Sequence, residues 1–216
     1  MKILVFDTET TGLLPKGFNA NKSNLINLPY IVQLSFIVYD EESNKVIVTY
    51  DSVIKVPETV TISEESSNIH GITNAISRNN GINIIDALEI LKIVINNVNC
   101  IVAHNFDFDI NMLCIECMRN NMEIELLKNN PLIVCTMKQS KELCNIVVKG
   151  RNGDNYIKYP RLEELHDKLF GNKPNNLHNS FNDVIVCLRC YFKLRFNKDI
   201  CKINRNINAL YNKNCK

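Results

Sequence analysis

Two acids two residues apart, at the end of an apolar opening run, constrain this chain more than any other feature. Met1-Lys2-Ile3-Leu4-Val5 reads as a buried β-strand, and it leads into Phe6-Asp7-Thr8-Glu9-Thr10-Thr11-Gly12-Leu13. Side chains on a strand alternate with a period of two, so Asp7 and Glu9 point to the same face. Carboxylates placed that way repel each other. They are tolerated where a cation sits between them, and hard oxygen ligands suit Mg²⁺ or Mn²⁺. The alternative is a strand end with two solvated acids before a Thr-Gly turn.

The chain has 216 residues, 45% of them hydrophobic, enough to bury one sizeable core. Its net charge of +2 is too small to argue for a nucleic-acid partner by itself. The charge is uneven, however: between Lys193 and Lys216 seven Lys and Arg oppose Asp199, a net of +6. The acidic pair interrupts the apolar run by residue 7, so no signal peptide is expected, and no stretch reaches the roughly 20 apolar residues of a membrane helix. Nine cysteines, an odd number without a secretory signal, point to reduced thiols and an intracellular setting, cytoplasm or nucleus.

The pattern of elements predicts the fold class. Residues 14–29 are polar and rich in turn formers and read as an exposed loop. Tyr30–Tyr39 is a strong strand, Asp40–Asn44 a hairpin turn and Lys45–Tyr50 the returning strand. Helical periodicity is clear over Ile84–Ile95, followed by a short buried strand, Cys100–Ala103, and a helix from Ile110 to Asn120. Leu132–Cys135 is another short strand, and a helix follows from about Met137 to Cys144. Lys149–Tyr159 reads as a polar loop, Arg161–Phe170 as a helix closed by Gly171, and Ser180–Phe196 as the last long helix. Three antiparallel strands, then strands alternating with helices, make an α/β chain with a mixed five-stranded sheet flanked by helices.

Two later sites carry further acids. Ala103-His104-Asn105-Phe106-Asp107-Phe108-Asp109 follows a buried strand and opens a helix, where the helix dipole alone accounts for one acid better than for two. In Leu177-His178-Asn179-Ser180-Phe181-Asn182-Asp183-Val184, Ser180 as N-cap would put Asp183 at the third helical position, a capping-box variant. That explanation leaves His178, five residues upstream of Asp183, unexplained.

Taken together, the three sites resemble the DnaQ-like (DEDDh) 3′–5′ exonucleases of the ribonuclease H-like superfamily. The matching motifs are Asp7-x-Glu9; Asn105 followed by Phe108-Asp109, which selects Asp109 over Asp107; and His178-x4-Asp183, the His branch. Secondary resemblances are Pro29–Leu34, Ile69-His70-Gly71-Ile72-Thr73 and Arg161-Leu162-Glu163-Glu164-Leu165. The match runs in order from about Ile3 to Leu194. It departs after the fifth strand, where many relatives carry an Asp and this chain reads Cys135-Thr136-Met137. The expected organisation is an exonuclease domain over 1–196 and a basic, Asn/Lys-rich tail over 197–216.

The resemblance implies two divalent ions, Mg²⁺ or Mn²⁺, held by Asp7, Glu9, Asp109 and Asp183. Asp7 would bridge both, Glu9 and Asp183 would serve the nucleophile side, and Asp109 the other. His178 would be the general base, a role for which histidine suits neutral pH. Thr10, Leu13, Ile69, His70, Asn105 and Phe108 would hold the terminal nucleotide. The implied substrate is a single-stranded or frayed 3′ end, DNA ahead of RNA, with proofreading or repair as the setting. An exoribonuclease and a non-catalytic nucleic-acid-binding module are the alternatives. A DNA polymerase partner and a homodimer both stay open.

Other cues weigh less. Cys114-x2-Cys117 and Cys187-x2-Cys190 have zinc-ligand spacing, but both fall inside helical segments and fit small buried hydrophobes better. His166 reads as a surface or packing residue. The Lys149–Tyr159 segment interleaves cations and aromatics, which suits a single strand, although a solvated loop explains it equally well.

Overall fold

A computed structural model describes residues 1–18, 24–122 and 129–216. Residues 19–23 of the expected loop lie outside that range.

The first strand, β1 (Lys2–Thr10), runs through the middle of a five-stranded sheet of order β3-β2-β1-β4-β5. It pairs antiparallel with β2 (Ile31–Asp40), which pairs antiparallel with β3 (Lys45–Val53). On its other side it pairs parallel with β4 (Cys100–Ala103), and β4 with β5 (Leu132–Cys135). This is the expected mixed sheet. The two-residue period of β1 divides the core: Leu4 and Phe6 enter one apolar cluster, Ile3 and Val5 another on the opposite face.

Helices cover both faces. Against the first pack α3 (Ile84–Ile95), through Ala87, Leu88, Leu91 and Ile95, and α4 (Phe106–Arg119), through Phe106, Met112, Leu113 and Ile115. Against the second pack α7 (Leu162–Phe170) and α8 (Ser180–Phe196). Gly171 closes α7 in the left-handed conformation, φ 74°, as its position after Phe170 predicts.

Several segments depart from the sequence reading. Two short helices, α1 (Glu64–His70) and α2 (Asn74–Asn80), precede α3; their N-caps are Ser63 and Thr73, whose side chains accept from Ser66 and Ile76 N–H. The helix expected over Met137–Cys144 is broken at Ser140 into α5 (Thr136–Gln139) and α6 (Lys141–Cys144). Lys149–Tyr159 is not a plain loop. It contributes to an antiparallel hairpin, β6 (Val147–Lys149) and β7 (Asn155–Ile157), turned through Gly153 at φ 89°.

The segment read as a tail, 197–216, carries α9 (Ile200–Ile203) and α10 (Arg205–Asn214). Their Ile200, Ile207 and Tyr211, with Cys215, are buried in the same cluster as α8. Arg189 of α8 fastens them: its Nε and Nη2 donate to the two oxygens of Asp199 at 3.0 and 2.8 Å. Its guanidinium also lies 4.0 Å from the Phe170 ring centre and 4.3 Å from that of Tyr211. His166 is fully buried here, bonded through Nδ1 to the Asn172 carbonyl and within hydrogen-bond distance of Arg189 and Tyr211 through Nε2. The two Cys-x2-Cys pairs lie on opposite faces of the sheet, Cys114 and Cys117 with the first cluster and Cys187 and Cys190 with the second, and cannot share a metal. Among the described residues no helix is long and apolar enough to cross a membrane.

Candidate active site

The C-terminal end of β1 runs out between α4 and α8. Asp7 and Glu9 point to the α8 side, as their spacing predicts, and Asp183 meets them from the first turns of α8. One carboxylate oxygen from each of the three lies within 4.8 Å of the others. Asp109 comes from the α4 side and is 2% exposed. It accepts from the Thr8 hydroxyl at 2.8 Å and the Thr8 N–H at 3.1 Å, so it stands beside the trio rather than within it.

The electrostatics are those of crowded, desolvated acids. Burial, then the charges of Asp109, Asp183 and Glu9, push the Asp7 carboxyl well above the usual range. Burial also pushes Glu9 up to about 8, and Asp109 and Asp183 each up to about 7. The Thr8 hydrogen bonds pull Asp109 back, and the His178 N–H does the same for Asp183. Asp183 Oδ1 is buried with no hydrogen-bond partner. A buried orphan oxygen, among acids that repel one another, is what a site for divalent cations leaves when only the protein is considered. The donor set is all carboxylate, which suits Mg²⁺ or Mn²⁺.

The start of α8 shows how Asp183 is aimed. Its N-cap is Asn179, whose side chain accepts from Asn182 N–H, and not Ser180. Ser180 is instead the first helical residue; its hydroxyl donates to the Asp7 carbonyl at 2.7 Å and its N–H to Gln33 Oε1 at 3.1 Å. Gln33 Nε2 and the Ser35 hydroxyl both donate to Asp51 Oδ1, each at 2.8 Å. This chain of hydrogen bonds joins three strands to the α8 start. Sequence reasoning assigned no role to Gln33, Ser35 or Asp51. The signal was there: Gln33 and Ser35 are alternate polar residues in an otherwise apolar strand, opposite Glu9 and Asp7 in register.

His178 is exposed and left-handed, φ 67°, an uncommon conformation for a side-chain-bearing residue. Its backbone N–H donates to Asp183 Oδ2 at 3.2 Å, so the turn that holds His178 also orients Asp183.

The residues expected around a terminal nucleotide fall into two groups. After Glu9 the β1–β2 register steps from Glu9↔Gln33 to Thr10↔Ile31, a bulge whose extra residue is Val32 of β2, and Thr11 N–H still donates to the Tyr30 carbonyl at 2.9 Å before the chain bends away through Gly12 and Leu13. Leu13 is 85% exposed, and the turn is fastened by Thr10 Oγ1 donating to the Gly12 carbonyl and Ser66 of α1 donating to the Thr11 carbonyl. The same helix ends with exposed Ile69 and buried His70, which burial holds below the ordinary imidazole range. Asn105 and Phe108 stand at the start of α4, just before Asp109 in the chain, where Asn105 is left-handed at φ 74° and makes no side-chain cap, leaving its amide uncommitted to the helix.

A mixed five-stranded sheet with an acidic cluster at the end of its central strand defines a ribonuclease H-like nuclease fold. The profile of the exonuclease (RNase T) family matches residues 4–191, and the chain belongs to that family. Among solved structures, Escherichia coli exonuclease I with a dT13 oligonucleotide is 20% identical with a TM-score of 0.67, over 91% of this chain and 42% of that one. Its product-bound form is 19% identical with a TM-score of 0.67, over 94% of this chain and 45% of that one. Its zinc-bound complex with single-stranded DNA is 20% identical with a TM-score of 0.67, over 94% and 42%. The chain thus spans less than half the length of exonuclease I. No curated protein matches it.

Proposed function

We infer that this chain is a 3′–5′ exonuclease that removes nucleoside 5′-monophosphates from single-stranded DNA ends. The observation that carries this reading is the trio Asp7, Glu9 and Asp183, one oxygen from each within 4.8 Å of the others and Asp183 Oδ1 buried without a partner, in a chain of the exonuclease family. The single-stranded oligonucleotides bound by exonuclease I favour the same substrate class here.

Asp7, Glu9, Asp109 and Asp183 would hold two divalent ions, Mg²⁺ or Mn²⁺. When bound, such ions supply charge to the phosphate and acidify a water. His178 would accept a proton from the attacking water as its oxygen bonds to phosphorus and the bond from phosphorus to the 3′ oxygen of the preceding nucleotide breaks, that oxygen taking a proton from solvent. The exposed position of His178, tied by its backbone to Asp183, supports that role. The Thr10–Leu13 turn and the Ile69–His70 end of α1 bind the terminal nucleotide from one side, Asn105 and Phe108 from the other.

A 3′-labelled oligonucleotide tests this. Wild-type protein with Mg²⁺ or Mn²⁺ releases labelled mononucleotide, whereas Asp7→Ala and His178→Ala release none while keeping the wild-type circular dichroism spectrum. Full activity in either variant, or wild-type activity in EDTA, would overturn the reading. Matched DNA and RNA strands in one assay decide the sugar, since recognition of the 2′-hydroxyl rests on the pocket walls and not on the acids.

A further inference from the structure

The β6–β7 hairpin has little cover on either side. Val147 and Lys149 on one side and Tyr156 on the other are exposed, as is Tyr159 just beyond. A lone two-stranded hairpin is marginal in water, so its retention needs a tether. The tether is at its base. Lys158 N–H donates to the Ile146 carbonyl at 3.0 Å, and Lys158 Nζ bonds both oxygens of Glu164 at 2.6 and 2.8 Å. Pro160, two residues on, bonds through its carbonyl to His104 Nε2 at 3.1 Å, while His104 Nδ1 meets Thr136 Oγ1 at 2.9 Å.

That tether is also an alignment. His104 immediately precedes Asn105, the left-handed residue that starts α4, and Asp109 follows one turn later. The hairpin base is therefore fixed to the segment that supplies one wall of the acidic site. The hairpin itself carries Lys149 and Arg151 near its tip, neither with an ion-pair partner among the described residues. Lys141 lies 5.1 Å from the centre of the Tyr159 ring. Asp154 is the only acid between Ile146 and Tyr159. The pairing puts Tyr156 on the face of Val148 and Lys149 on the other, so rings and cations are spread around the hairpin; a single strand, whose bases are free to stack, can bend to reach both.

We propose that the β6–β7 hairpin, through Tyr156, Tyr159, Lys149 and Arg151, is a stacking platform for the single-stranded nucleic acid that runs 5′-ward from the acidic site. The proposal rests on the exonuclease reading above. The platform engages nucleotides preceding the one that is cleaved, so it governs the binding of a strand and not hydrolysis at the site.

Two substrates separate these roles: a 15-nucleotide single-stranded oligonucleotide, and the 4-nitrophenyl ester of thymidine 5′-monophosphate, which offers only a terminal nucleotide. Tyr156→Ala/Tyr159→Ala is expected to raise KM for the oligonucleotide about tenfold, with kcat and ester hydrolysis unchanged. Lys149→Ala/Arg151→Ala is expected to reduce the slope of log KM against log salt by about 1.4, for two lost phosphate contacts on a single strand. Wild-type KM and salt slope in both variants would overturn the hairpin proposal alone, as would an equal loss on oligonucleotide and ester. Failure of the wild-type protein on both substrates would overturn the exonuclease reading and this proposal with it.

Discussion

Thr8 holds Asp109 by two hydrogen bonds to one oxygen, from its hydroxyl at 2.8 Å and its main-chain N–H at 3.1 Å. Thr8 faces away from Asp7 and Glu9 on β1, so the strand that presents two acids on one side also positions a third acid from the other. A hydrogen bond to a charged group contributes roughly 1.5–3 kcal/mol. Thr8→Val keeps the shape and loses the hydroxyl, and is expected to lower kcat at least about tenfold with the fold intact. Thr8→Ser should restore most of it. Equal rates in Val and Ser variants would show that the hydroxyl plays no part.

The acidic cluster is destabilising without a counter-charge, because half-buried carboxylates are crowded together there and each raises the others' pKa. Glu9→Gln removes one of them. It is expected to abolish nuclease activity yet raise the thermal midpoint measured in EDTA by about 2–4 °C, the shift that about 1 kcal/mol produces in a chain of this size. Adding Mg²⁺ should raise the midpoint of the wild-type protein more than that of the variant. A lower midpoint for Glu9→Gln in EDTA would contradict the repulsion argument.

His104 sets a pH dependence of stability. Burial holds its folded pKa down to about 4, below the value of about 6.5 for an exposed histidine. Between those values unfolding takes up a proton. The stability is thus fully present above about pH 6.5 and is lost as pH falls toward 4, by on the order of 2–3 kcal/mol. The clustered carboxylates, with raised pKa values, act in the opposite sense, so the measurement is a difference. Urea midpoints of wild type and His104→Gln should converge, or cross in favour of Gln, as pH drops from 7 to 4.5. A constant gap would refute the assignment.

Arg189 and Asp199 are nearly buried and bonded through two pairs of atoms. Arg189→Met strands the carboxylate of Asp199 and is expected to cost about 3–5 kcal/mol in chemical denaturation. Arg189→Met/Asp199→Leu should recover most of that loss. No recovery would place the cost in the stacking of the guanidinium on Phe170 and Tyr211 instead.

What could be read in advance follows physical lines. Asp7 and Glu9 were legible because a strand's period fixes their common face, and the bounds of α8, Ser180–Phe196, because its apolar residues are dense and its end is abrupt. Within that helix the cap was misassigned, since Asn179 and Ser180 are both good caps and only the Asp7 carbonyl decides between them. The helices after Phe196 were hidden by their composition. Ile200, Ile207 and Tyr211 carry the buried stripe, but Asn and Lys surround them and suppress the periodicity. The β6–β7 hairpin left no alternation to read, because both of its faces meet solvent. Gln33, Ser35 and Asp51 were visible only as polar interruptions of strands; their joint task depends on Ser180, 147 residues away from Gln33.

The bond from Ser180 to the Asp7 carbonyl spans 173 positions of the chain. A ribosome therefore makes the first acids long before the segment that completes their site. Until α8 has been made and packed on β1, Asp7 and Glu9 lack both the carboxylate of Asp183 and the bond that fixes their strand to it.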